Sequence, residues 1–325
     1  MTNALTALSS RGRKHRTTAA ATRRRAHSAR PPWEEPPTAV GQAAKGLTLG
    51  GTLAVILVPL YIIVLTSFST PGAINRAGGL VIWPDGLTTE TYRQMLSDET
   101  IVTALGVSLG ITVVGTAISM IVSVLCAYGL SRPRSLGHRF VLLLLIITMF
   151  ISGGLIPSFL VVTGLGGYGQ WWSLILPSAV SVFNILVLRA FYQDTSSELI
   201  DAARMDGAGD WRILWSVVLP TSRAVTAVTA LFYAVGYWNS FFNVMLYMPT
   251  DGQKWPLQYV LLTYVNRANG MPGVVNSGFG NGQAQTAPLS LQMAVVVLTL
   301  VPLVIVYPFV QKHLRTGVLT GAIKG

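Results

Sequence analysis

Polar side chains that could contact a solute recur at helical spacing in one apolar stretch, "ALFYAVGYWNSFFNVMLYM" at 230–248. They are Tyr233, Tyr237, Ser240 and Asn243, with Asn239 beside them. Amides and hydroxyls cost free energy in hydrocarbon unless they are paired, so this face should meet other helices or a wet cavity. Aromatic faces beside amides suit a sugar, which offers C–H surfaces for stacking and hydroxyls for hydrogen bonding.

A second polar set lies in the apolar stretch 171–192, where Ser178, Ser181 and Asn184 follow one another and Pro177 can bend the helix. Two interpretations of both sets stay open: a solute path, or interhelical hydrogen bonds that hold a helix bundle together. The candidates for a solute path are Ser181, Asn184, Tyr233, Tyr237, Asn239, Ser240 and Asn243.

Residues for bond-making chemistry are not arranged as a catalytic site. No G-x-x-x-x-G-K-[ST] sequence occurs, so the chain has no P-loop for ATP hydrolysis. Gly106 to Gly110 match the pattern of a nucleophile elbow, but they lie in an apolar stretch where small residues serve helix packing. The four histidines lie in tails and a loop without ligand spacing, so we expect no metal, no bound cofactor and no enzyme activity.

The composition is that of a membrane protein. Of the 325 residues, 51% are hydrophobic and only 11% are charged, against roughly a quarter charged in soluble domains. Six stretches approach the ~20 residues that cross the hydrocarbon layer as a helix. The sequence therefore predicts an all-α integral membrane protein with six spans, at 46–68, 101–130, 140–163, 171–192, 223–248 and 288–311.

Basic residues predict the orientation, because Lys and Arg near span ends stay on the cytoplasmic side. Nine of the 23 Lys and Arg precede residue 46, and others cluster at 131–139, 193–223 and 312–324. Both termini are therefore expected in the cytoplasm, with a disordered basic tail at 1–45 and a C-terminal tail at 313–325. The net charge of +11 belongs mainly to the first tail, as an orientation signal or a lipid contact, and nucleic acid is not expected.

One charged segment, 194–222, interrupts the membrane pattern. Within it, "SELIDAARMDGAGDWRILWSVVLP" predicts a short helix, a turn at Gly207 and a second helix capped by Asp210. Trp211, Leu214, Trp215 and Val218 recur at helical spacing as its apolar face, and Pro220 ends it. Such a hairpin must pack on its own bundle or on another protein, and its charged turn favours the second.

This segment resembles the cytoplasmic EAA loop of permease subunits in binding-protein-dependent ABC importers. Asp201-Ala202-Ala203 matches Glu-Ala-Ala with Asp for Glu, Gly207 matches the glycine, and Val217-Val218-Leu219-Pro220 matches with Val for Ile. The stretches "MFISGGLIPSFLVV", "ALFYAVGYWNSFFNVMLYM" and "PFVQKHLRTGVLTGAIKG" resemble the carbohydrate-uptake branch, polysaccharide and oligosaccharide permeases in particular. The resemblance runs from about residue 46 to the end.

The resemblance implies a six-span permease domain at 46–312 with type I importer architecture, in a bacterial cytoplasmic membrane. It implies two ATP-binding subunits that use the ATP, a second permease subunit and an extracytoplasmic solute-binding protein. The loop would seat in a groove of an ATP-binding subunit. The residues expected at that contact are Asp201, Ala202, Ala203, Arg204, Asp206, Gly207, Leu219 and Pro220.

Two alternatives stay open at this point. The same loop would suit an importer of peptides or ions, which only the flanking spans disfavour. The second alternative is a non-transporting scaffold whose basic arm binds lipid. This alternative gives the charged loop no function.

Overall fold

The structure, a computed structural model, describes residues 38–132, 137–151, 153–194, 197–268 and 289–321. The predicted N-terminal tail as far as residue 37, and residues 269–287 of the last predicted outward loop, lie outside the described residues. The described residues divide into two units after Pro59. In the described part of the first unit, a helix begins at Ala39.

Helices make up nearly all the regular structure in the described ranges. They are α1 Ala39–Ser67, α2 Pro71–Ala77, α3 Glu90–Ser97, α4 Glu99–Ser131, α5 His138–Phe150, α6 Leu155–Gly164, α7 Trp172–Ser178, α8 Val182–Gln193, α9 Ser197–Met205, α10 Asp210–Thr221, α11 Arg223–Trp238, α12 Phe242–Tyr247, α13 Leu257–Ala268 and α14 Leu289–Gly321. One antiparallel bridge joins Ser69 to Leu87.

Six spans are present if each bent helix pair counts as one. Helices α1, α4 and the Leu289–Pro308 part of α14 are each long and apolar enough to cross a membrane. The pairs α5 with α6, α7 with α8 and α10 with α11 also qualify, although they bend by 118°, 50° and 87°. The predicted all-α membrane architecture is confirmed, and the count of three helices and three bent pairs agrees with six spans. In the third pair, α11 lies within the predicted fifth span and α10 belongs to the charged loop.

Prolines and glycines account for where two of these spans break. The 50° bend between α7 and α8 follows Pro177, as predicted, because proline removes a helix hydrogen bond and crowds the preceding turn. The bend between α5 and α6 has Gly154 at φ +80°, a conformation that favours glycine. Hydropathy does not reveal the break between α5 and α6, because the residues on both sides of it are equally apolar.

Several predicted boundaries differ from the structure. Helix α1 starts inside the predicted tail, at Ala39, and α14 continues to Gly321, through most of the predicted C-terminal tail. The predicted span 223–248 was wrong as one helix: α11 stops at Trp238, and α12 begins at Phe242. The intervening residues, Asn239 to Phe241, are polar or aromatic, and helix capping there competes with continuation of the helix.

Helix α4 is the central element of the second unit. It packs against α8 and α11, and α11 packs in turn against α14. Ile101, Ala104 and Ile111 of α4 are buried in one cluster with Tyr237 and Trp238 of α11. A second buried cluster lies farther along α4, around Val124, Ala127 and Leu130. These two clusters fix the two regions in which the candidate site residues lie.

The connection between α1 and α4 is held by polar contacts. Tyr92 of α3 shares a 2.7 Å hydrogen bond with Ser67 at the end of α1, and burial raises the pKa of this phenol. Arg76 pairs with Asp85 at 2.6 Å on the surface. The bond between Tyr92 and Ser67 ties the end of α1 to α3, the helix that precedes α4.

Candidate functional site

A cavity of about 340 Å³ opens where the two broken helices α7–α8 and α11–α12 face each other. Every residue predicted for a solute path lines it. These are Ser181, Asn184, Tyr233, Tyr237, Asn239, Ser240 and Asn243, joined by Ser178, Phe232, Gly236, Phe241 and Phe242. The lining therefore combines aromatic rings, amides and hydroxyls, and it carries no charged side chain.

The two tyrosines of α11 use their hydroxyls to hold the wall together. The Tyr237 hydroxyl donates to the carbonyl oxygen of Ile175 at 3.0 Å and lies 2.8 Å from Ser119 Oγ. The Tyr233 hydroxyl lies 2.7 Å from Ser123 Oγ. Each tyrosine is only 5% exposed. Their rings face the cavity, but their hydroxyls serve the interhelical bonding that the sequence left as the alternative.

Gly115 lets Tyr237 lie flat against α4. A Cβ atom built on Gly115 would lie 2.8 Å from Cζ of Tyr237, closer than real contacts allow. Gly115, Ser119 and Ser123 are spaced four apart and so share one face of α4. Sequence reasoning missed this face, although the small residues at i, i+4 and i+8 were a visible signal for close helix approach.

The break between α7 and α8 places the N-terminal residues of α8 at the cavity. Ser181 caps α8, with its Oγ accepting from the Asn184 N–H at 3.4 Å, and its own N–H donates to the Tyr233 hydroxyl at 3.1 Å. Asn184 is 6% exposed. Within the part of the chain that the structure describes, its side-chain amide makes no hydrogen bond. A buried amide that lines a cavity without a partner is available to a ligand.

The opposite side of the cavity comes from the gap between α11 and α12. Asn243 Nδ2 donates weakly to Ser178 Oγ at 3.4 Å and so bridges the two broken spans. Asn239 donates to the carbonyl of Val235 at 2.9 Å and accepts from Gln258 at 3.3 Å. The amide oxygen of Asn243 is a further acceptor that a solute hydroxyl could use.

The charged loop forms the predicted helix, glycine turn and second helix. Gly207 adopts φ +79°, and the N–H groups of Gly207 and Ala208 donate to the carbonyls of Arg204 and Ala203, each at 2.9 Å. This paired arrangement closes the end of α9 and satisfies carbonyls that would otherwise be orphaned. A Cβ on Gly207 would meet nothing within 4 Å in this chain. The turn therefore requires a residue that tolerates the left-handed backbone conformation, whereas the space beside Gly207 is open.

The inner side of the loop packs on the spans. Ile200 of α9 and Ile213, Leu214 and Val218 of α10 are buried in the cluster around Leu130. Its outer side is exposed and carries Asp201, Ala202, Arg204, Asp206 and Gly207. Ala203, Leu219 and Pro220 are half-buried and lie toward the spans. The structure thus gathers five of the eight predicted contact residues on one exposed face.

Four details of the second helix differ from the sequence-based prediction. Gly209 and not Asp210 occupies the N-cap position, and the helix continues past Pro220 to Thr221. Its middle, Leu214–Val218, is a π turn, because Pro220 has no N–H for the preceding turn. Ile213 is buried together with Leu214 and Val218, whereas the two predicted apolar-face tryptophans, 211 and 215, are each 65% exposed.

A polar network joins the loop to the end of α4. The Tyr128 hydroxyl donates to the carbonyl oxygen of Asp210 at 3.1 Å and accepts from Arg132 Nη2 at 2.9 Å. The Arg132 guanidinium also lies 4.9 Å from the Tyr128 ring centre. Arg189 donates to the carbonyl of Leu130 at 2.9 Å, which ties α8 to the same end of α4. Sequence reasoning missed Tyr128, because nothing local marks its partner 82 residues away.

The known proteins to which this chain is similar are membrane components of transport systems. The family described as "Binding-protein-dependent transport system inner membrane component" matches residues 119–320, which include the charged loop and all the residues that line the cavity. A polygalacturonan/rhamnogalacturonan transport system permease protein of Bacillus subtilis is 39% identical over 83% of this chain and 93% of its own length. The protein LplC of the same organism is 37% identical over 86% of this chain and 93% of its own.

A solved structure extends the similarity to three dimensions. The crystal structure of a bacterial ABC transporter involved in the import of the acidic polysaccharide alginate matches with a TM-score of 0.76 and 28% identity. The match covers 87% of this chain and 99% of the matched chain. A diacetylchitobiose uptake system permease protein of Streptomyces coelicolor is 26% identical over 83% of this chain and 85% of its own.

Proposed function

Since the chain belongs to the family of binding-protein-dependent transport system inner membrane components, we propose that it is a permease subunit of an ATP-driven importer of a sugar or oligosaccharide. Relatives named for polygalacturonan, diacetylchitobiose and alginate transport support a saccharide as the solute. The observation that carries the proposal is a cavity lined by amides, hydroxyls and aromatic rings at two broken spans, with an exposed charged loop on the same spans.

The cavity is the proposed solute path. Broken spans place helix ends and free backbone groups at membrane depth only where a cavity or neighbouring protein satisfies them. The amides of Asn184 and Asn243 and the hydroxyl of Ser240 would exchange hydrogen bonds with sugar hydroxyls. The rings of Phe232 and Phe241 would offer faces to sugar C–H groups. These contacts use neutral groups, which suit the hydroxyl groups of a saccharide.

The loop is the proposed contact with an ATP-binding subunit. Its exposed side presents two small residues, Ala202 and Gly207, that permit close approach of a groove. Asp201, Arg204 and Asp206 provide charges that can pair with that partner. Because the other side of the loop is packed on α4 and α8, a movement of the partner would be transmitted to the helices that line the cavity.

The remaining parts of the proposed assembly follow from the family. A second permease subunit would complete the path, two ATP-binding subunits would act on the cytoplasmic side, and a solute-binding protein would deliver the saccharide from outside. Alternating access would carry the solute across the cytoplasmic membrane, with both termini of this chain inside. This chain would supply a path and a coupling surface and perform no bond chemistry.

Uptake into liposomes tests the proposal. The complete assembly would be reconstituted with internal ATP, and entry of labelled oligogalacturonides and chitooligosaccharides would be compared with that of a labelled oligopeptide. Saccharide entry that depends on ATP and the binding protein is expected. Entry of the peptide alone would overturn the assignment of the solute.

Crosslinking tests the coupling surface separately. Ala202→Cys would be introduced in a Cys126→Ser background, since Cys126 is the chain's one native cysteine. Ala202 is exposed, whereas Ala203 is partly buried against the spans. A crosslink from Ala202→Cys to an ATP-binding subunit is expected, and none from the control Trp83→Cys, a residue 81% exposed in the loop after α2. Equal crosslinking from both positions would contradict the assignment.

A further inference from the structure

Trp211 and Trp215 lie one turn apart on the second helix of the charged loop, and each is 65% exposed. Single exposed apolar residues are common on protein surfaces, but two indole rings side by side form an apolar strip. The buried cluster beneath α10 uses other residues, namely Ile213, Leu214 and Val218. The tryptophan pair is therefore not explained by packing within the chain.

The bend at Ser222 sets the direction of this helix relative to the membrane. Helices α10 and α11 meet at 87°, and α11 is the span that follows. When α11 crosses the bilayer, a helix at right angles to it runs along the membrane surface. Helices in that position sit at the boundary between headgroups and acyl chains when they carry one apolar and one basic or polar face.

Helix α10 has three distinct sides. One side, with Ile213, Leu214 and Val218, is buried on the spans. The tryptophans form the second. Arg212 and Ser216, each one residue after a tryptophan, are exposed about 100° farther round the helix. The helix thus has a protein-facing side, an aromatic side and a polar side.

We propose that Trp211 and Trp215 anchor α10 in the headgroup layer of the leaflet on the loop's side of the membrane. Indole rings favour this layer because they join an apolar body to an N–H donor. Arg212, and Arg223 at the bend, are exposed and complement anionic headgroups. The ATP-binding subunit is not the occupant, because the small and charged residues suited to it lie on α9 and the glycine turn.

The anchor would give the loop a fixed end. Helix α9 presents the exposed contact face, and α10 would be held both by the spans and by lipid. If a partner displaced α9, then α9 would rotate about the Gly207 turn. Helix α10 would stay at the membrane surface, so the loop as a whole would not move away from it. This inference concerns the surface of the loop and holds whichever solute the chain carries.

Spin-label accessibility tests the anchor in the full chain, reconstituted in nanodiscs of phosphatidylcholine with phosphatidylglycerol. In a Cys126→Ser background, a nitroxide would be placed at Trp215→Cys and, as the matched control one residue away, at Ser216→Cys. Power saturation would compare collisions with oxygen and with a water-soluble nickel chelate. We expect the Trp215→Cys label to collide more with oxygen and the Ser216→Cys label more with nickel. Equal nickel accessibility at both positions would overturn the proposal.

A second measurement separates lipid from protein as the occupant. The same labels would be measured after the ATP-binding subunit is added to the permease. The Trp215→Cys label should keep its oxygen accessibility if lipid covers this side. Loss of both oxygen and nickel accessibility on addition of the subunit would assign the tryptophans to a protein contact instead. Trp211→Cys replaces Trp215→Cys if the latter variant does not purify as a folded, monodisperse protein.

Discussion

The hydroxyl of Tyr128 donates to the carbonyl oxygen of Asp210 across 3.1 Å, and so joins α4 directly to the first residue of α10. The same hydroxyl lies 3.4 Å from Asp210 Oδ1 and accepts a hydrogen bond from Arg132. Arg204 of α9 reaches Asp210 Oδ1 at 3.9 Å. Asp210 is therefore the point at which both loop helices and the central span meet, beside the turn that closes α9.

Tyr128→Phe should weaken coupling more than folding. The substitution removes the bond to the Asp210 carbonyl but keeps the ring beneath Arg132, so the loss of stability should be about 1 kcal/mol. We expect the solute transported per ATP hydrolysed to fall several-fold in proteoliposomes that contain the complete assembly. Tyr168→Phe, a half-exposed tyrosine in the turn after α6, is the control. An unchanged transport-to-ATP ratio would refute a coupling role for Tyr128.

Substitutions at Gly207 separate the shape of the turn from contact with a partner. Gly207→Ala strains a residue at φ +79° by roughly 1 kcal/mol, whereas Gly207→Asn tolerates that conformation and adds a side chain. If a groove closes over the turn, Gly207→Asn should fold normally and still abolish ATP-driven uptake. Membrane insertion and thermal melting are the controls. Normal uptake by Gly207→Asn would show that only the backbone conformation matters.

Gly115→Ala should destabilise the wall of the cavity. The added methyl group would lie 2.8 Å from the Tyr237 ring, and overpacking of this kind costs about 1 to 3 kcal/mol. Gly110→Ala on the same helix is the matched control, since a Cβ there meets nothing within 4 Å. Its expected effect is neutral or slightly stabilising, because alanine favours helix over glycine. Thermal unfolding in detergent measures both, and equal melting temperatures would contradict the packing of Tyr237 on Gly115.

Asn184→Ala and Tyr237→Phe should affect different properties. Asn184 lines the cavity, and its amide has no partner in the described residues, so its loss should raise the KM for uptake with a small effect on stability. Tyr237→Phe loses bonds to Ser119 and Ile175, and we expect a loss of about 0.6 to 1.7 kcal/mol in stability. Uptake kinetics and melting would be measured on both variants. A reversed pattern would assign Asn184 to the framework and Tyr237 to the solute.

Hydropathy and local turn chemistry predicted much of the fold. The six apolar stretches, the bend after Pro177 and the glycine turn at Gly207 each depend on a few adjacent residues, and the structure contains all three. The predicted cavity residues also come together, because polar side chains in apolar helices must converge on one another or on water.

Contacts between helices that are distant in the sequence could not be predicted from hydropathy or local turn chemistry. The partners of Tyr233 and Tyr237 on α4 depend on how two helices rotate against each other, which hydropathy does not encode. The exposure of Trp211 and Trp215 depends on which side of α10 packs on the spans, and that side carries Ile213, Leu214 and Val218. The break after Trp238 was missed because Phe241 and Phe242 follow directly after the two polar residues Asn239 and Ser240 and keep the mean hydropathy high.

The two serine–tyrosine bonds between α4 and α11 also bear on the order of biosynthesis. Their partners lie 118 and 110 residues apart, so α4 leaves the ribosome long before either tyrosine exists. Until then the hydroxyls of Ser119 and Ser123 can bond to carbonyls of their own helix. The nascent second span must therefore be stable in the membrane without these two bonds, which can form only once the fifth span has been inserted beside it.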